Sequence, residues 1–167
     1  YFFIAGLGMY ILVYSLVQEK KAAFISAILY MLNGFMHTFM LNGHINILEG
    51  YSMIPFIFLF AYKALKEKNF AAYSILAGIF FALQILAGSI LFFFYTVLAL
   101  GLYFIIHFIL SALKGNFKSI LKLALVGFLI AVTALSLSSI KLLPVLEFTR
   151  MSSRSTSVSF NEYLGEP

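Results

Sequence analysis

Apolar residues run in long blocks along this chain, and the breaks between them alternate in character. One set of breaks is lysine-rich: Gln18-Glu19-Lys20-Lys21, Lys63-Ala64-Leu65-Lys66-Glu67-Lys68, and Lys114 through Lys118 to Lys122. The other set is polar without a lysine cluster: Asn42-Gly43-His44-Ile45-Asn46, Ala87-Gly88-Ser89, and a tail from near Leu142. A spanning helix needs about 20 apolar residues. Blocks near that length occupy residues 1–17, 22–41, 45–62, 70–87, 90–113 and 119–143. As one helix, residues 70–113 would reach ~66 Å, about twice a hydrocarbon core, so they are expected to fold back at Gly88-Ser89. The pattern predicts an all-α polytopic transmembrane bundle of about six helices.

Irregularities within the blocks carry their own expectations. Asn33 and Gly34 are polar and small insertions that allow close helix packing in the second span. Glu49-Gly50 and Pro55 are expected to leave the outer end of the third span irregular or kinked. Pro144 is expected to end or bend the last span. Residues 144–167 are then expected to form an external interfacial helix, one or two turns over 145–151, followed by the start of a polar outer loop. No internal repeat is evident.

If each block crosses once, all three lysine clusters fall on one side. Excess lysine in short loops marks the cytoplasmic face, which places 42–46, 88–89 and 144–167 outside a cell membrane. Chemistry is therefore expected on the lysine-poor side.

Composition fits this reading. Hydrophobic residues make up 63% and charged residues 10% of 167, against roughly 45–50% and about 25% in soluble domains. So few charges would not cover a soluble fold of this size. The net charge of +5 is spread over three junctions rather than gathered into a groove, which argues against nucleic acid. The lysines are expected to meet anionic lipid headgroups at about 1 kcal/mol each. Cysteine is absent, removing disulfide and thiolate chemistry, and all six acids are glutamate. Because the chain opens at Tyr1 inside an apolar run, it is read as an internal piece of a longer protein.

Two constellations are candidates for chemistry. The first is Asn42, His44, Asn46 and Glu49, with Tyr51 nearby, between spans two and three. It is either a site that holds a phosphate or positions an acceptor hydroxyl, or a polar turn at headgroup level. His37 and His44 are seven apart and share a face if the helix continues, but they lack fixed metal spacing, and no metal site is predicted. The second is Lys141, Glu147, Arg150 and Arg154. On a helix, Glu147, Arg150 and Arg154 share one face. A cation at Lys141, near the lysine-poor end of a span, is costly to keep unless it works. Arginine grips phosphate in a bidentate fork and lysine adds a point charge, so the group reads as a site for a lipid phosphate or pyrophosphate. The competing reading is that Lys141 snorkels and Glu147 pairs with Arg150. Gln84 in the fourth span is expected to make an interhelical hydrogen bond, and His107 to lie near the inner interface. No Ser-His-Asp, HExxH, P-loop or GxGxxG pattern is present.

Four passages, in order, resemble the YfhO-like family of membrane proteins. Ala27-Ile28-Leu29-Tyr30-Met31-Leu32-Asn33-Gly34-Phe35 is similar to its AxxYxxSGF stretch. Gly43-His44-Ile45-Asn46 followed by Pro55 is similar to its GHxN…LP passage. Leu86-Ala87-Gly88-Ser89, Tyr95 and Leu98-Ala99-Leu100-Gly101-Leu102-Tyr103 resemble LAGHPQ…Y…LALGLY, with Ser89-Ile90-Leu91 where relatives carry His-Pro-Gln. Leu142-Leu143-Pro144-Val145-Leu146-Glu147 with Arg154 resembles LLPxxE…S.R. Such proteins are similar to multi-span glycosyltransferases of the GT-C class. The resemblance implies transfer of a sugar from a polyprenyl-phosphate carrier to an acceptor on the outer face. Lys141, Arg150 and Arg154 would then neutralise the donor phosphate, and His44, Asn46 and Glu49 would shape the acceptor side. In that class an acidic residue of the first outer loop acts as base or metal ligand. That loop, with any divalent cation, is expected upstream of Tyr1. Two other readings stay open: a transporter or flippase for a lipid-linked or anionic substrate, and a non-catalytic structural membrane protein.

Overall fold

The computed structural model describes the backbone of residues 1–151 and side chains as far as Thr149. Seven helical segments follow one another: α1 (Phe2–Val17), α2 (Lys20–Met31), α3 (Gly34–Leu41), α4 (Ile45–Lys66), α5 (Phe70–Ala87), α6 (Ile90–Leu113) and α7 (Phe117–Met151). The α2–α3 pair and each of α4 to α7 are long and apolar enough to cross a membrane, while α1 is a shorter apolar helix. Large apolar side chains such as Phe3, Leu29, Leu102 and Phe128 cover the outside, as a hydrocarbon solvent requires. The protein is an all-α, multi-pass helical bundle.

Three stretches differ from expectation, each for a local reason. The second span is broken at Leu32-Asn33. Asn33 is extended, and its side-chain oxygen accepts from Phe35 N–H at 2.9 Å, so it caps a new helix instead of continuing the old one. The third span is one continuous helix through the stretch expected to be irregular, with α4 running through Glu49, Gly50 and Pro55. In the last span α7 runs through Pro144 to Met151, so residues 145–151 are helical as its continuation and not as a separate element.

Pro55 shows how a break is avoided. Lacking an N–H, it leaves the Tyr51 carbonyl without its helical donor. The Tyr30 hydroxyl donates to that carbonyl at 3.0 Å. In return the Tyr51 hydroxyl donates to the Tyr30 carbonyl at 3.2 Å, which lies in the last turn of α2, where carbonyls lack intrahelical partners. The two rings stack 4.2 Å apart. Each tyrosine thus satisfies the backbone group that the other helix leaves open.

Contacts fix the helix directions. The Tyr1 hydroxyl donates to Glu49, and Gly8 lies against the Phe56 ring, so α1 and α4 run the same way. The carboxyl end of α1 therefore points toward the same end as Lys66. Lys122, near the start of α7, donates to the carbonyls of Leu65 and Glu67 at 2.7 and 2.9 Å. All three lysine clusters consequently gather at one end of the bundle.

The main core joins α4, α5, α6 and α7 through Ile57, Ala61, Ala77, Phe81, Leu100, Val126 and Ile130. A second cluster of Ala5, Met36, Leu48, Tyr51 and Phe92 ties α1 and α3 to the lysine-poor end of α4 and α6. α5 and α7 pack closely at Gly78, where a Cβ would fall 2.6 Å from Thr133 Cβ. α6 rests more loosely against its neighbours, and that looseness opens the crevice described next.

Candidate functional site: a basic crevice at the lysine-poor end

α5 ends at Ala87, and Gly88 takes the left-handed conformation, with φ of 81°, that lets the chain turn sharply into α6. The last carbonyls of α5 point out of this turn without intrahelical donors and form the negative end of its dipole. Lys141 of α7 reaches across, and its Nζ donates to the Leu86 carbonyl at 2.6 Å. One physical reason for the out-of-pattern lysine is therefore structural: it caps α5. Lys122 does the same for α4 at the opposite end. The two lysines lie about 28 Å apart along α7 at ~1.5 Å per residue, close to the thickness of a hydrocarbon core.

Beside Lys141 lies a crevice of about 400 Å³ between α5, α6 and α7. Its walls are apolar, built from Ile85, Ile90, Phe93, Leu135, Leu142 and Val145, with Gly88, Ser89 and Lys141 as the polar exceptions. Lys141 is half-buried, its hydrogen-bond partner is a neutral carbonyl, and no carboxylate pairs with it among the described residues. Ser89 is 4% exposed, and its hydroxyl has no hydrogen-bond partner among the described residues. It sits against Gly50 of α4, where a Cβ would meet Ser89 Cβ at 2.7 Å.

Behind this turn is a polar node. Gln84 is fully buried and donates from Nε2 to the Gly50 carbonyl and to Thr96 Oγ1, both at 2.9 Å. Thr96 in turn donates to the Phe92 carbonyl at 2.7 Å, which fixes its role as acceptor toward Gln84. Gln84 thus makes interhelical bonds to α4 and α6, and its Oε1 is unpartnered among the described residues.

The other sequence candidates are placed as follows. Glu49 is half-buried and accepts from the Tyr1 hydroxyl. His44 is exposed at the N-cap of α4, with its ring 6.0 Å from that of Phe39, and Asn46 is exposed. His37 bonds through Nδ1 to the Asn33 carbonyl at 3.1 Å. The helix does not continue from His37 to His44: α3 ends at Leu41 and Gly43 turns with φ of 74°, so they share no helical face. His44, Asn46, Glu49 and Glu147 do not line the Lys141 crevice. Glu147 is exposed on α7. The backbone of Arg150 belongs to α7, but its side chain, like the whole of Arg154, lies outside the described residues. Among the candidates whose side chains are described, Lys141 alone reaches the crevice. Sequence reasoning took Ser89 only as a turn residue, and nothing in its neighbours signals that α4 and α7 close over it.

No protein-family model, curated protein or solved structure matches the chain.

Proposed function

We propose that this multi-pass protein binds the phosphate-bearing end of a membrane lipid at its lysine-poor end. In this reading it serves as part of a glycosyltransferase that uses a polyprenyl-phosphate-linked sugar. The observation that carries the binding is the Lys141 ammonium at the mouth of an apolar crevice, with no carboxylate partner among the described residues. A phosphate on a hydrocarbon chain has the same two-part chemistry. The GT-C-like activity rests on the sequence resemblance. In that reaction the bond between the sugar's anomeric carbon and the phosphate oxygen breaks. An acceptor hydroxyl oxygen forms the new bond and gives its proton to a general base. Negative charge grows on the departing phosphate, so a fixed cation there favours the transition state over the ground state. Arg150 and Arg154 would add to that charge, and His44, Asn46 and Glu49 would bound the acceptor side. The interior supports a site at a membrane end over a path through the bundle. Ser74, Thr96 and Ser138 donate to carbonyls of their own helices.

Binding of farnesyl phosphate and of farnesol by the purified protein tests this. The Lys141→Met variant is expected to lose about tenfold or more in affinity for the phosphate, the strength of one charge-assisted bond, with farnesol binding unchanged. Leu135→Trp, which fills the crevice, should weaken both. Equal binding of farnesyl phosphate by wild type and Lys141→Met would refute the assignment.

In this reading the lysine-rich end is cytoplasmic and the crevice faces outward. The chain has no cysteine, so single cysteines report sidedness cleanly. Asn42→Cys is expected to react with an impermeant maleimide in intact cells, and Asn116→Cys only after permeabilisation. The reverse pattern would turn the orientation over.

A further inference from the structure

At the opposite end of the bundle, α4, α6 and α7 enclose a second cavity of about 280 Å³. Its chemistry is unlike that of the crevice. Tyr62, Lys66, His107, Ser111, Ser119 and Lys122 line it, with Leu65 and Leu123 as the apolar remainder. The half-buried Lys122 spends two of its three donors on the carbonyls of Leu65 and Glu67. Lys66 donates to the Tyr62 hydroxyl at 2.9 Å. Ser111 and Ser119 share a single hydrogen bond between their hydroxyls at 2.9 Å, so one hydroxyl proton stays free. His107 is half-buried with its ring edge-on to Tyr103 at 4.6 Å. Two ammonium groups therefore share one cavity with spare donors; no carboxylate lines it among the described residues, and the nearest acid, Glu67, acts on Lys66 from outside the lining.

We propose that this cavity is a second anion site, which takes a phosphate group at the lysine-rich face. It is independent of the Lys141 crevice. A phosphate ester accepts several hydrogen bonds and matches the ammonium, hydroxyl and imidazole donors gathered there. The ligand favoured is an anionic phospholipid headgroup, because the cavity lies where the spans end, at headgroup depth. Basic pockets between transmembrane helices at the lysine-rich face hold such headgroups.

Native mass spectrometry of the protein in a neutral detergent, titrated with phosphatidylglycerol, tests the site. Wild type is expected to retain one phosphatidylglycerol in preference to phosphatidylcholine. Lys66→Gln removes one cation without releasing a helix and should weaken that first lipid roughly fivefold. Lys66→Gln/His107→Gln should weaken it further. Lys20→Gln/Lys21→Gln, in a cluster that does not line the cavity, should leave it unchanged. Competition by inorganic phosphate that the Lys66 variant also loses would support the site and assign it to a soluble anion. No preference for phosphatidylglycerol, or an equal loss from Lys20→Gln/Lys21→Gln, would overturn the proposal.

Discussion

Gly78→Leu is expected to destabilise the bundle by about 3 kcal/mol or more, at the upper end of what overpacking costs. The reason is geometric. A Cβ on residue 78 falls 2.6 Å from Thr133 Cβ and 3.0 Å from the Ile130 carbonyl oxygen. Neither atom lies at the far end of a flexible side chain, so α5 and α7 must move apart. That motion also loosens Ala77, Phe81, Val126 and Ile130, which form the centre of the core. Gly78→Ala should already be harmful, and Thr133→Gly should partly restore it by removing the atom it strikes. Gly101 supplies the control, because a Cβ there meets nothing within 4 Å. Gly101→Ala should be neutral or gain up to about 1 kcal/mol from helix propensity. Unfolding in mixed micelles, followed by far-ultraviolet circular dichroism, reads all four variants. Equal stability of Gly78→Leu and wild type would show that α5 and α7 are not packed at this point.

The contrast between Gly78 and Gly101 also shows what the sequence hides. Both are single glycines in long apolar runs, and no periodicity separates them. Their difference lies in which residue of a distant helix stands opposite, which is information about pairing and not about composition. Features governed by solvent were readable: the fourth and fifth spans, expected at 70–87 and 90–113, have those bounds in α5 and α6. The lysine clusters share an end because each junction's charge answers to the membrane surface. Lys141 also stood out, since a lone cation breaks a pattern imposed by lipid. Features governed by a partner helix were not readable. Asn33 breaks a span by capping α3, a choice made through a bond to Phe35 N–H. Lys122 looked like one more surface charge, yet it ties α7 to the end of α4. The crevice itself follows from how loosely α6 rests on α5 and α7, and no residue of α6 announces it.

Pro55 is the clearest case of a local rule overridden from outside, and it allows a quantitative test. Tyr30→Phe is expected to cost about 2 kcal/mol, because it strips the donor from the Tyr51 carbonyl in a setting where little water replaces it. In a Pro55→Ala background the same change should cost well under about 1 kcal/mol, since residue 55 then offers an N–H to that carbonyl. The difference between the two costs is the coupling energy of a double-mutant cycle. Ring stacking is kept in Tyr30→Phe, so lost packing cannot imitate the result. The reciprocal change, Tyr51→Phe, leaves the Tyr30 carbonyl open and should be insensitive to Pro55→Ala, because that carbonyl is exposed by the end of α2 and not by the proline. Stability in mixed micelles decides between the cases. A Tyr30→Phe cost that is the same with proline or alanine at 55 would mean that the hydroxyl serves some purpose other than the carbonyl the proline abandons.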